Sequence, residues 1–481
     1  MKKTSFIKVI VPFFLIIILI PKILVLSGCA NMIPPTGGPI DSLPPLLVKV
    51  TPPDSSRNFT AKTITFTFDE FIEDVQQQNP YQNVMISPNP VAFPVIESKL
   101  RTLTVKLKDT LEPNTTYYFN FGDVIKDVNE RNILNNFSYI FTTGDVLDTL
   151  QLSGNVVVAE TGGIDTTLVV MLFKSGEDSA IVKEPHARYI TKLDGKGNFR
   201  FLYLPQGTYY IYAMEGNSRR YSDQSFFAFA DSAVQIKPNT PPVTLYAFKE
   251  REEQLPPASA TINFAGGNRG PGTKPEERRL RFSTNLSANT QDLLSDFSLN
   301  FERPLRNIDT SKLQLSTDST FNPISAAWEL DSLKKKLTLK INWKENTLYN
   351  LILDKEFAED SLGRKLLKTD TINFTTKKLA DYGSVKVSFK NIDLSQNPVL
   401  QFSQGNQLIK SFPLTTAEVY DQLFVPGDYE LSILYDKNKN GHWDPGQFFG
   451  KKKQPELVRP LNKKITIRAN WDNEFEITGP L

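Results

Sequence analysis

Thr63-Ile64-Thr65-Phe66-Thr67-Phe68-Asp69-Glu70 decides the fold of this chain. Its first six residues place Ile64, Phe66 and Phe68 on one side and three threonine hydroxyls on the other. That period of two belongs to a half-buried β-strand. Leu103-Thr104-Val105-Lys106-Leu107 and Ser138-Tyr139-Ile140-Phe141-Thr142 repeat the pattern. No segment sustains a helical period, and the Gln76–Gln78 region admits only a short helical turn. With 33 Phe, 16 Tyr and 32 Pro, the composition fits strands divided by turns.

The same stretch recurs further along the chain. Phe66-Thr67-Phe68-Asp69-Glu70-Phe71-Ile72 is answered by Leu299-Asn300-Phe301-Glu302-Arg303-Pro304-Leu305, Asn114-Thr115-Thr116-Tyr117 by Asn346-Thr347-Leu348-Tyr349, and Phe141-Thr142-Thr143 by Phe374-Thr375-Thr376. A second unit is duplicated as well, with Leu204-Pro205-Gln206-Gly207-Thr208-Tyr209 answered by Phe424-Val425-Pro426-Gly427-Asp428-Tyr429. Internal repetition at this scale means stacked or strung modules. The 481 residues divide into an A-B-A-B array, each module of ordinary domain size.

Module A, with the order F-x-F-[DE], L-T-[VL]-K-[LI], N-T-x-Y and F-T-T, resembles the bacterial Ig-like domain first described in S-layer proteins and common in Bacteroidetes lipoproteins. Module B, with Asp194-Gly195-Lys196-Gly197-Asn198-Phe199 before Leu204-Pro205-Gln206-Gly207-Thr208-Tyr209, is similar to carboxypeptidase-regulatory, transthyretin-like sandwiches. The C-terminal B copy lacks the D-x-x-G-x-F part. The resemblances imply an all-β chain, a tandem array of four β-sandwich domains. The expected divisions are a signal peptide at 1–28, a lipidated Cys and Pro/Gly-rich tether at 29–45, an Ig-like domain at 46–145 and a transthyretin-like domain at 149–249. A linker at 250–276, a second Ig-like domain at 277–378 and a second transthyretin-like domain at 382–475 complete the chain.

The N terminus carries Lys2, Lys3 and Lys8, then apolar Val9–Ile20, Pro21-Lys22 and apolar Ile23–Leu26, the layout of a secretory signal. Leu26-Ser27-Gly28-Cys29 resembles the lipobox of bacterial lipoproteins, in which the cysteine is acylated and becomes the first residue; palmitate is one such acyl group. Cys29 is the only cysteine, so no intramolecular disulfide forms. An uncleaved apolar anchor is the alternative, although Pro21 and Lys22 interrupt a span that needs about 20 apolar residues. Ala30 and Asn31 after the cysteine imply an outer-membrane anchor, and the lack of an acidic cluster there favours its periplasmic face. Without the four lysines before Cys29, 51 basic residues face 53 acidic ones, which leaves no field for nucleic acid.

Asp436-Lys437-Asn438-Lys439-Asn440-Gly441-His442-Trp443-Asp444 resembles the first nine residues of a calcium loop, with Asp436, Asn438, Asn440, His442 and Asp444 as the candidate metal set. Position 12 is Gln447, not a bidentate Glu, so a hairpin turn held by Asx side chains is the competing reading. The only two histidines, His186 and His442, have no nucleophile at motif spacing. The paired Asp69-Glu70 becomes Glu302-Arg303 in the repeat, which argues against paired-carboxylate catalysis. No catalytic residue and no cofactor other than calcium is expected.

An Asp-[Ser/Thr]-[Ala/Ile/Leu/Val/Met/Thr] triplet occurs ten times, where average usage gives about two. It is similar to the O-glycosylation acceptor of Bacteroidetes, with Ser42, Thr110, Thr149, Thr166, Ser179, Ser232, Ser319, Ser332, Ser361 and Thr371 as acceptors. Turn initiation by Asp explains the same triplets. The functional expectation is a non-catalytic outer-membrane-anchored lipoprotein, an envelope scaffold that binds the membrane through its lipid and an envelope protein or glycan through its sandwiches. The alternative is a carbohydrate-binding lipoprotein, with Trp443 or Trp471 as a stacking surface, or a calcium-dependent adhesion lipoprotein.

Overall fold

The computed structural model describes residues 40–174, 187–216, 221–250, 279–317, 322–405 and 407–479. The signal segment, Cys29, His186, Ser179, Ser319 and nearly all of the expected linker lie outside them. The described chain is nearly all β, with its nine sheets grouped into four sandwiches in sequence order, the second A sandwich adding a small sheet of Leu305–Ile308 and Ala358–Asp360 to its two main ones. Among the described residues no helix is long and apolar enough to cross a membrane. The helical turn expected near Gln76 appears as Val75–Gln78, followed by Pro80–Asn83.

In the first A sandwich, Thr63–Phe68 lies between Leu47–Thr51 and Thr102–Lys106, with Val95–Lys99 at the far edge. Met85–Ser87, Thr116–Asn120 and Ser138–Thr142 form the second sheet. The apolar side of the deciding strand becomes core: Ile64, Phe66 and Phe68 are buried, and Phe66 meets Phe121 and Tyr139 edge-on at 5.5 and 5.3 Å. The second A sandwich repeats the order, with Phe297–Phe301 between Phe282–Thr284 and Lys336–Lys340, and Ala327–Leu330 at the edge.

The repeated motifs have one physical job. Asn114 and Asn346 take left-handed φ angles of 50° and 47° in a turn. The last threonine of each F-T-T then ties that turn to the closing strand. Thr143 Oγ1 accepts the Thr115 N–H at 3.0 Å, and Thr376 Oγ1 accepts the Thr347 N–H at 2.9 Å.

The two B sandwiches also share a topology. One sheet holds Asn198–Leu204, Leu150–Val158 and Val243–Ala247 in the first copy, and Glu418–Phe424, Gly383–Lys390 and Asp472–Thr478 in the second. In both, the last strand runs parallel to the first. In the Asp194 hairpin, the carboxylate accepts the N–H groups of Lys196 and Asn198, both at 2.8 Å, and Gly197 supplies φ +78°. The C-terminal copy reaches the same topology without that hairpin.

The described chain divides into two compact units. One holds the described residues up to Met85 with Ala92–Leu111 and Phe119–Phe141; the other holds Ile86–Val91, Glu112–Tyr118 and everything from Thr142 onward.

Candidate functional site: the Asp436 loop and its aromatic seat

Strand Gly427–Tyr435 ends at Asp436, which is buried, and the chain leaves the sheet until strand Leu457–Ile467. Asp436 Oδ1 accepts the N–H of Lys439 at 2.6 Å and of Asn440 at 3.3 Å, and its Oδ2 accepts that of Gly441 at 2.7 Å. Lys439 and Gly441 adopt φ of +63° and +79°, so the turn coils back on the carboxylate. Asn438 Oδ1 accepts the Asn440 N–H at 3.1 Å, and Asn440 Oδ1 accepts that of His442 at 2.8 Å. Asp444 Oδ2 accepts from both asparagine amides. The side-chain oxygens of Asp436, Asn438, Asn440 and Asp444 each accept an N–H of the loop itself.

Glu456 completes this arrangement, and the spacing argument missed it. It is buried; Oε1 accepts the Lys437 N–H at 2.7 Å and Oε2 that of Asp444 at 3.1 Å. Its carbonyl takes the Trp443 indole N–H at 2.8 Å. Burial pushes the Glu456 carboxyl above its ordinary range, and the charges of Asp436 and Asp444 push the same way against the two backbone donors. Glu456 lies 19 residues beyond Lys437, so no local motif points to it. No group of three or more His, Cys, Asp or Glu side chains suited to a metal ion occurs among the described residues. The ring of His442 is exposed on the loop.

The loop carries a second feature that the sequence reading passed over, Phe448-Phe449 in an otherwise polar excursion. Phe448 is buried against the first B sandwich, with ring centroids 5.0, 5.1 and 5.8 Å from Phe227, Phe229 and Tyr212. Phe449 meets Tyr221 at 4.8 Å. The Phe448 N–H donates to Glu250 Oε1 at 2.6 Å, Gln454 Nε2 to the Phe229 carbonyl at 3.0 Å, and the Val458 N–H to the Ala159 carbonyl at 2.8 Å. Two glycines are sized to this contact. A Cβ on Gly446 would lie 2.5 Å from Phe248 Cζ, and one on Gly162 2.2 Å from Pro460 Cδ. The Asp436 loop therefore acts as a bracket that packs one B sandwich against the other.

The four tryptophans form no row. Trp328 and Trp343 pack on the core of the second A sandwich, and Trp443 packs beside Val399, Leu434 and Val458. Trp471 is exposed, with the Arg468 guanidinium 5.5 Å from its ring centre. The eight described acceptors of the Asp-Ser/Thr triplets, Ser42, Thr110, Thr149, Thr166, Ser232, Ser332, Ser361 and Thr371, are all exposed. Several of the aspartates also start turns: Asp41 accepts the Leu43 N–H, Asp165 that of Thr167 and Asp360 that of Leu362.

Residues 41–143 match the bacterial Ig-like domain family. No curated protein matches the chain in sequence. Solved structures with a likeness include the N-terminal part of the bacterial S-layer protein SbsC, at 15% identity and TM-score 0.16, over 37% of this chain and 42% of that one. The Bacillus anthracis TIE protein is 10% identical with TM-score 0.16, over 92% and 76% of the two chains. BcpA, the major pilin subunit of Bacillus cereus, is 12% identical with TM-score 0.17, over 68% and 99%.

Proposed function

We propose that the chain is a non-catalytic lipoprotein, anchored in the outer membrane through Cys29 and more exposed to the periplasm than to the cell surface, whose four sandwiches scaffold an envelope protein or glycan. The observation that carries it is the sole cysteine standing after Leu26-Ser27-Gly28, at the end of a basic and apolar leader and ahead of an all-β array. Several acyl chains on one cysteine give stable anchoring where a single chain does not. The Bacteroidetes origin belongs to the same proposal. Mass spectrometry of the protein from the membrane fraction of its host tests it. The expected result is an acylated N-terminal Cys29 lacking the first 28 residues, and an unmodified chain that retains Met1 would overturn it. Crosslinking in that host followed by recovery of neighbours identifies the partner.

Calcium-dependent adhesion is a second reading, which rests on the oxygen side chains of Asp436, Asn438, Asn440 and Asp444 within one loop. Calorimetric titration with calcium decides it; absence of heat together with an unchanged Tm ends that reading. The exposure of the eight described hydroxyls supports O-glycosylation of the triplets, and an unshifted gel band after chemical deglycosylation of native protein refutes it.

A further inference from the structure

The two A sandwiches are one fold written twice, so a surface present in only one of them is not a folding requirement. Backbone hydrogen bonds fix the equivalent positions. The Asp69 N–H meets the Leu46 carbonyl at 3.1 Å where the Glu302 N–H meets that of Arg281 at 3.2 Å. The Ile72 N–H meets the Leu100 carbonyl at 2.9 Å where Leu305 meets Lys334 at 2.8 Å, and Val128 meets Phe71 at 3.2 Å where Ser361 meets Pro304 at 2.9 Å. Leu100 and Lys334 even share a left-handed φ, 57° and 54°. Thus Leu46, Phe71, Leu100 and Val128 in the first copy stand where Arg281, Pro304, Lys334 and Ser361 stand in the second.

All four are exposed, by 57, 49, 65 and 52%. The bonds that define them, together with the Asn132 amide on the Asp41 carbonyl, gather them at one end of the sandwich with exposed Leu43 and Ile40. A bulge between Leu47 and Lys49 adds exposed Val48 to the edge strand, with no counterpart in the straight Phe282–Thr284 pairing. Two of the nearby carboxylates, Asp69 and Asp127, accept backbone N–H groups, while exposed Asp41 and Glu130 and half-buried Glu70 form an acidic rim. Asp69 accepts the Leu46 N–H at 2.8 Å, and Asp127 those of Glu130, Arg131 and Asn132. Arg101 lies 5.1 Å over the Phe71 ring. An apolar patch with a polar rim marks a contact surface.

Its position indicates the occupant. Ile40 is 11 residues beyond Cys29, a reach of at most roughly 40 Å, and the chain enters the sandwich at this end. We propose that this end of the first A sandwich seats on the bilayer, with Leu46, Phe71, Leu100 and Val128 at the boundary of headgroups and acyl chains. This rests on the membrane attachment proposed above and holds for an acylated Cys29 or an uncleaved apolar anchor alike. The second copy, beyond another sandwich and a linker, carries Arg, Lys, Pro and Ser at those places.

The test uses the full chain reconstituted into phosphatidylethanolamine and phosphatidylglycerol vesicles with brominated acyl chains. The native tryptophans at 328, 343, 443 and 471 lie outside the first A sandwich, so Phe71→Trp adds a reporter that is read against the parent protein. The added emission should be blue-shifted and quenched. Leu46→Arg, Leu100→Lys and Val128→Ser, side chains that the second copy already carries, should abolish the quenching while the protein still floats with the vesicles. Vesicle-bound protein whose added emission is unquenched overturns the seating surface and leaves the anchor standing; unquenched but blue-shifted emission overturns it in favour of a protein contact. Protein that fails to float overturns both.

Discussion

Asp127 and Glu456 show how a buried carboxylate organises a loop from two opposite electrostatic positions. Burial pushes Asp127 upward, but N–H groups of Asn132, Arg131 and Glu130 outweigh it and hold the carboxyl below its ordinary range. A folded pKa below the unfolded one adds stability above the unfolded value, and that stability is lost as pH falls through the folded one. The first A sandwich should therefore melt at progressively lower temperature below the ordinary aspartate range, and Asp127→Asn should flatten that dependence in calorimetric scans. For Glu456 the amide of a glutamine can replace only one of two accepting oxygens, so Glu456→Gln strands a backbone N–H. The cost should be about 1–3 kcal/mol, read as a lower urea midpoint, and an unchanged midpoint refutes the bracket role. Asp436 was legible from its spacing to the asparagines; Glu456 was not, because it reaches the loop only after the chain has made its excursion and come back.

At the scale of elements, the strand pattern was readable because burial on one face of a sheet imposes a period of two on the sequence. Ile64, Phe66 and Phe68 are core for that reason, and Phe297, Leu299 and Phe301 of the repeat are core for the same one. The N-T-x-Y and F-T-T motifs were visible as repeats, but their pairing across the sheet was not. Thr376 Oγ1 accepts from Thr347 and donates to the Lys344 carbonyl, contacts between chain segments about thirty residues apart. Thr376→Val keeps the shape and deletes both bonds, so the second A sandwich should lose about 1–3 kcal/mol. Chemical denaturation should show this as an earlier transition, whereas the same substitution at exposed Thr371 should leave it in place.

Across the molecule, the seam between the two B sandwiches joins modules that a whole A sandwich separates in sequence. Phe448→Ala removes a ring packed among Phe227, Phe229 and Tyr212, and the loss should be about 3–5 kcal/mol of seam stability. Calorimetry should then separate the B sandwiches into distinct transitions; a single unchanged transition shows that the seam does not couple them. The sequence by itself determined the all-β class, the A-B-A-B duplication and the exclusion of disulfides, since periodicity, repetition and residue inventory are properties of the chain alone. Only the tertiary structure decided what the Asp436 loop holds, that Phe448 finds its partners two modules away, and that Leu46, Phe71, Leu100 and Val128 stand where the duplicate carries Arg281, Pro304, Lys334 and Ser361. Those features depend on distant backbone segments converging, and nothing in local residue order specifies which segments will meet.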